Sequence, residues 1–164
     1  MQSYLHRVLA LDGPQPWCPS ETGQLKEKMM SKDFSDESAA LEATVMEYMT
    51  AFMRADIPAV LATYAEDGVL MAPIGPAIEG KKQLAEMYPG LFDAVDFNMV
   101  PKVTEVLQTS ADWGFVRSAT EGTQTNKATG DTETAKYLEL FLLRKSETGA
   151  WQIVRYNTTQ IPAA

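Results

Sequence analysis

After Ser35 the apolar side chains first recur at three- and four-residue intervals, and beyond Asp96 they recur at every second position. Leu41, Val45, Tyr48, Met49 and Phe52 form one stripe, which predicts an amphipathic helix of about five turns, with Asp36 and Glu37 at its positive end. Asp56 then reads as the N-cap of a second helix, with Pro58 in the first turn and Val60, Leu61 and Tyr64 on the apolar side. Glu66-Asp67-Gly68 reads as a turn, and residues 69–73 as a short strand or a buried connection. Ile78-Glu79-Gly80 leads into a third helix from about Lys81, with Leu84, Met87 and Tyr88 inward, until Pro89-Gly90 kinks or stops it. The period-two region predicts four strands, near 97–109, 112–122, 133–145 and 150–159, separated by turn signals at Ser110-Ala111-Asp112, at 126–131 and at Glu147-Thr148-Gly149. Helices early and antiparallel strands late predict an α+β fold whose sheet curves round the helices.

Residues 1–34 have another texture. Tyr4, Leu5, Val8 and Leu9 offer a short helical face before Gly13-Pro14-Gln15-Pro16-Trp17-Cys18-Pro19 breaks regular structure. They read as an N-terminal extension to a domain spanning 35–164, either a mobile segment or an arm that packs Leu5 and Trp17 on a subunit. The later strands are apolar on both faces: Tyr137, Phe141 and Leu143 alternate with Leu138, Leu140 and Leu142. One face covers the helices, and burying the other in a homodimer avoids a large exposed apolar patch.

Composition narrows the function classes. The 164 residues are 45% hydrophobic and 22% charged, the mix of one compact domain. Their 22 acidic and 14 basic side chains leave a formal charge of −8, which disfavours a surface that tracks nucleic-acid phosphates. Cys18 and His6 are each alone in the chain, so neither an internal disulfide nor a His/Cys zinc cluster is expected, and a reducing compartment fits. No run approaches the ~20 apolar residues of a membrane span, and we expect a cytoplasmic protein with no membrane partner. The carboxylates lack ligand spacing and no phosphate-binding glycine loop appears, so neither a metal nor a nucleotide cofactor is expected.

The run from Ala55 to Pro73, with Tyr64-Ala65-Glu66-Asp67-Gly68 at its centre and Met71-Ala72-Pro73 at its end, resembles the signature of the SnoaL-like and ketosteroid-isomerase-like families. These belong to the nuclear transport factor 2-like superfamily. Ile78-Glu79-Gly80-Lys81 matches the family's helix start, and Tyr137 to Lys145 with Gly149-Ala150-Trp151-Gln152-Ile153 resembles its closing hairpin, with the SgcJ-like group nearest in pattern. The resemblance covers residues 36–160. It implies a cystatin-like cone, three N-terminal helices packed on a curved, mostly antiparallel sheet, enclosing an apolar pocket for a small, largely apolar molecule. It leaves the activity open, because the superfamily holds isomerases and cyclases alongside noncatalytic dimerisation modules.

In the isomerase branch a carboxylate just before the strand's terminal proline takes a proton, and a tyrosine on the first helix stabilises the resulting oxyanion. The matching positions here are Ala72, whose methyl group cannot take a proton, and Tyr48. Tyr48 is thus either a candidate oxyanion donor or an aromatic on the apolar stripe. Glu139 stands between Tyr137 and Phe141 in an apolar strand. It is either a buried candidate general base or the partner of Lys136, Arg117 or Arg155 on the sheet. The resemblance also puts Tyr64, Met71, Tyr88, Val116, Tyr137, Phe141 and Tyr156 on the pocket wall. The function expected is binding of a small apolar metabolite, with isomerisation or cyclisation by Glu139 and Tyr48; the alternative is a noncatalytic dimerisation module.

Overall fold

The spacing of Leu41, Val45, Tyr48 and Met49 becomes the buried face of helix α1 (Ser38–Met53). The structure is a computed structural model and describes residues 36–161; the expected N-terminal extension lies outside these residues. The start of α1 is tied down from three sides. The Glu37 N–H donates to the side-chain carbonyl of Gln108 at 2.8 Å, the Trp151 indole N–H donates to the Glu37 carboxylate at 2.9 Å, and Lys145 pairs with that carboxylate. These contacts fix the register of α1 against the sheet and so place Tyr48. The helix closes at Ala55, whose φ of 52° lies in the left-handed region.

Helix α2 (Ile57–Ala62) begins as expected at Asp56, whose Oδ1 accepts from the Ala59 N–H at 3.1 Å, with proline in the first turn. Strand β1 (Tyr64–Met71) follows at once. Here the structure corrects the sequence reading: Glu66-Asp67-Gly68 is a bulge inside this strand, since Tyr64 pairs with Ile153 and Val69 with Arg155. A short strand, β2 (Ile78–Glu79), then pairs antiparallel with β1. Helix α3 (Gly80–Ala94) continues through Pro89. Leu84, Tyr88 and Phe92 are buried on one face, so packing outweighs the hydrogen bond that the proline removes.

Four long strands complete the chain: β3 (Val95–Gln108), β4 (Trp113–Asn126), β5 (Thr132–Lys145) and β6 (Trp151–Ile161). Each lies close to its expected position, and β4 runs four residues beyond its expected end at 122 because it stays paired with both neighbours to Thr125. The sheet order is β2-β1-β6-β5-β4-β3, antiparallel except for the β1–β6 pair. The inner face carries Val116, Phe141, Leu143 and Ile153, all fully buried against Leu41, Val45 and Leu84 of the helices. Burial of each such side chain stabilises the fold by roughly 1.5–3 kcal/mol. This is the expected α+β architecture, helices on one face of a mostly antiparallel sheet. Among the described residues no helix is long and apolar enough to cross a membrane.

Candidate functional site

Period-two alternation aims Thr120 and Gln124 of β4, Tyr137 and Glu139 of β5, and Tyr156, Thr158 and Gln160 of β6 toward the helices. Opposite them, Tyr48, Met49, Phe52 and Met53 project from α1, Tyr88 and Leu91 from α3, and Phe97 and Met99 from β3. Ala72, Pro73 and Ile74, just past β1, complete a cavity of about 330 Å3. Its walls divide into a polar side on the sheet and an apolar side of aromatic rings and methionines, the pliable lining that suits a small apolar molecule.

Glu139 is only 8% exposed. The strand register supplies its partners, because Ser118 stands directly across from it and Thr120 and Tyr156 stand on the diagonals. The Ser118 and Thr120 hydroxyls both donate to Oε2 at 2.6 Å, and the Tyr156 hydroxyl donates to Oε1 at 2.8 Å. The ion pairs that were the alternative for Glu139 are not formed. Arg117 pairs with Glu105, Lys136 pairs with Glu121, and Arg155 donates to the Asp67 carbonyl. All three cations alternate out of phase with Glu139 and project from the other face of the sheet.

A second polar group is made of tyrosines. The Tyr88 hydroxyl lies 3.2 Å from both the Tyr48 and the Tyr64 hydroxyls. Tyr48 and Tyr88 line the cavity, whereas Tyr64 is fully buried behind them and satisfies its hydroxyl on Tyr88. Burial pushes Tyr48 and Tyr64 well above the ordinary tyrosine range, and the neighbouring Tyr88 adds to both. Tyr156 is raised by burial and then by the Glu139 carboxylate, and Tyr88 by burial. All four are therefore held as neutral hydroxyls. Tyr137 donates its hydroxyl to Gln124 at 2.7 Å.

Of the residues expected on the wall, Tyr48, Tyr88, Tyr137, Glu139 and Tyr156 come together around the cavity. Four do not line it. Tyr64 lies one layer behind, Val116 and Phe141 belong to the core, and Phe141 stacks under Tyr156 with centroids 4.1 Å apart. Met71 points away and is 37% exposed, because the bulge in β1 puts Leu70 and Ala72 on the inner side. Sequence reasoning missed Ser118 and Thr120. Their signal was present, two hydroxyl residues in phase with buried Val116 on the strand beside Glu139. The cavity thus sets a hydroxyl-bound carboxylate and the hydroxyls of four tyrosines on the walls of one apolar space.

The SnoaL-like domain family model matches residues 45–151. The chain is 60% identical to a ketosteroid isomerase-like protein from Erwinia carotovora atroseptica SCRI1043, over 79% of this chain and 100% of that one, with a TM-score of 0.77. A domain with a cystatin-like fold from Nostoc punctiforme PCC 73102 is similar at 21% identity, covering 78% of each chain, with a TM-score of 0.63. An NTF2-like protein from Pseudomonas putida KT2440 is similar at 16% identity over 74% of this chain and 84% of that one, with a TM-score of 0.61. The last two likenesses speak for the fold alone. No curated protein sequence matches. The family pattern met first between Ala55 and Lys81 lies within the matched span, and the chain belongs to the SnoaL-like domain family.

Proposed function

We propose that the cavity binds a small, largely apolar molecule and moves a proton on it, with Glu139 as the base and Tyr48 as the hydroxyl donor to the oxygen that gains charge. The observation that carries this reading is the hydroxyl-bound Glu139 carboxylate on the wall of a cavity whose other described lining residues are apolar or neutral polar. A base facing an apolar space takes a proton from carbon next to a carbonyl, the Tyr48 hydroxyl stabilises the enolate, and return of the proton elsewhere completes an isomerisation. Ala72 takes no part in this, so the base works from the sheet wall and not from the end of β1.

The test is deuterium exchange into β-tetralone, a flat apolar ketone, in D2O. Wild-type protein is expected to label the carbon beside the carbonyl, and Glu139→Gln to slow the labelling by about 10²–10⁴-fold. Equal rates in the two proteins overturn the role of Glu139 as base.

A second reading, a noncatalytic dimerisation module, is favoured by the outer face of β5, where Leu138 is 48% and Leu140 44% exposed. Pairing two such faces buries both rows, and a homodimer assembled this way is compatible with either reading.

A further inference from the structure

The charge of the cavity is one-sided. Among the described residues that line it, Glu139 is the one carboxylate, and there is no lysine, arginine or histidine. Its three hydroxyl partners stabilise the negative charge without neutralising it, and Arg117, Lys136 and Arg155 are engaged on the outer face of the sheet. A carboxylate largely taken out of water gains most from a positive partner that enters the same apolar space. The walls around it carry the rings of Tyr48, Phe52, Tyr88, Phe97, Tyr137 and Tyr156. Aromatic faces attract a desolvated cation through their quadrupoles, and attract no anion. The whole chain, at a formal charge of −8, draws cations in the same sense.

We propose that the ligand of this cavity is an apolar organic cation, in which a quaternary or protonated amine nitrogen sits between the aromatic walls and Glu139. This inference rests on reading the cavity as the ligand site. It also agrees with proton transfer there, since a positive nitrogen acidifies the C–H bonds beside it. A quaternary nitrogen, which has no N–H to donate, is held by ring faces without occupying the carboxylate lone pairs.

Benzyltrimethylammonium, benzyl alcohol and phenylacetate share one ring and differ in charge, and calorimetric titration of the full chain with each tests the proposal. The cation is expected to bind about tenfold or more tighter than the alcohol, and phenylacetate weakest of the three. Glu139→Gln is expected to erase the advantage of the cation, and a far-ultraviolet circular dichroism spectrum matching that of the wild type reports that the variant is folded. An alcohol that binds as tightly as the cation overturns the proposal and leaves the ligand site standing, as does a cation advantage that survives Glu139→Gln. If none of the three binds, both the cation and the reading of the cavity fall.

Discussion

The hydroxyl of Tyr156 donates to Oε1 of Glu139 across 2.8 Å, linking two neighbouring strands at the floor of the cavity. The same tyrosine ring stacks on Phe141 with planes 8° apart, so packing fixes the ring and the ring fixes the donor. Tyr156→Phe keeps the stack and removes only the donor. Loss of a hydrogen bond to a charged, buried group is expected to lower stability by about 1.5–3 kcal/mol. Urea unfolding of the two proteins checks this, and a loss below about 0.5 kcal/mol would mean that Ser118 and Thr120 satisfy the carboxylate by themselves.

Alkaline pH provides a second test, because Tyr48, Tyr64, Tyr88 and Tyr156 are all raised above 10.0 by burial. In the unfolded chain these hydroxyls ionise near the ordinary value of about 10, before they do so in the folded protein. The folded state then holds more protons, so the stabilisation is fully present below about pH 10 and is lost as the pH rises through the raised folded values. Urea midpoints are expected to stay level from about pH 8 to about pH 10 and then fall. Tyr64→Phe assigns the effect to the tyrosines: its fall should be shallower than that of the wild type. An identical fall in both would assign the effect elsewhere.

How much of this was legible in the sequence depended on whether local spacing or distant pairing set the outcome. The stripe from Leu41 to Phe52 and the alternation in β5 are local patterns, and both elements lie where they were expected. The bulge at Glu66-Asp67-Gly68 is set by how β1 meets β6, a contact 88 residues away in sequence at Asp67 and Arg155. That bulge decides which side of the strand faces inward, so Met71 was expected in the cavity where Leu70 and Ala72 stand. Helix α3 passing through Pro89 has the same origin, since burial of Tyr88 and Phe92 overrides a local breaker. For the site, Glu139 was visible as a charge in an apolar row. Its choice between a cation and the hydroxyls of Ser118, Thr120 and Tyr156 required the register of three strands.

Gly122 shows a close approach that composition does not reveal. A Cβ at this position would lie 2.2 Å from the carbonyl oxygen of Asn98 and 2.8 Å from the Cα of Met99, and both are backbone atoms of β3. Neither can move without breaking the β3–β4 ladder, where Met99 pairs with Gly122. Gly122→Ala is therefore expected to cost at least about 1–3 kcal/mol in urea unfolding. It should also weaken ligand binding, because Met99 lines the cavity. Thr123→Ala on the adjacent, partly exposed position serves as the comparison, and an equal effect of the two would show that the close approach is relieved by a small backbone shift.

The outer face of the sheet yields the last expectation. Leu140 stands on β5 between Arg117 of β4 and Asn157 of β6, with Leu138 and Leu142 along the same row. On a monomer this row meets water, whereas in a homodimer it meets its own copy, and a charge placed at its centre is buried unpaired in the second case alone. Leu140→Asp is expected to convert a dimeric wild-type protein into monomers in sedimentation velocity. Its far-ultraviolet circular dichroism should be unchanged, because position 140 lies outside the core. Monomeric wild-type protein at micromolar concentration rejects the homodimer. A dimer that survives Leu140→Asp moves the interface away from this face, and either result removes the support for the noncatalytic dimerisation module while leaving the cavity chemistry to be judged by Glu139.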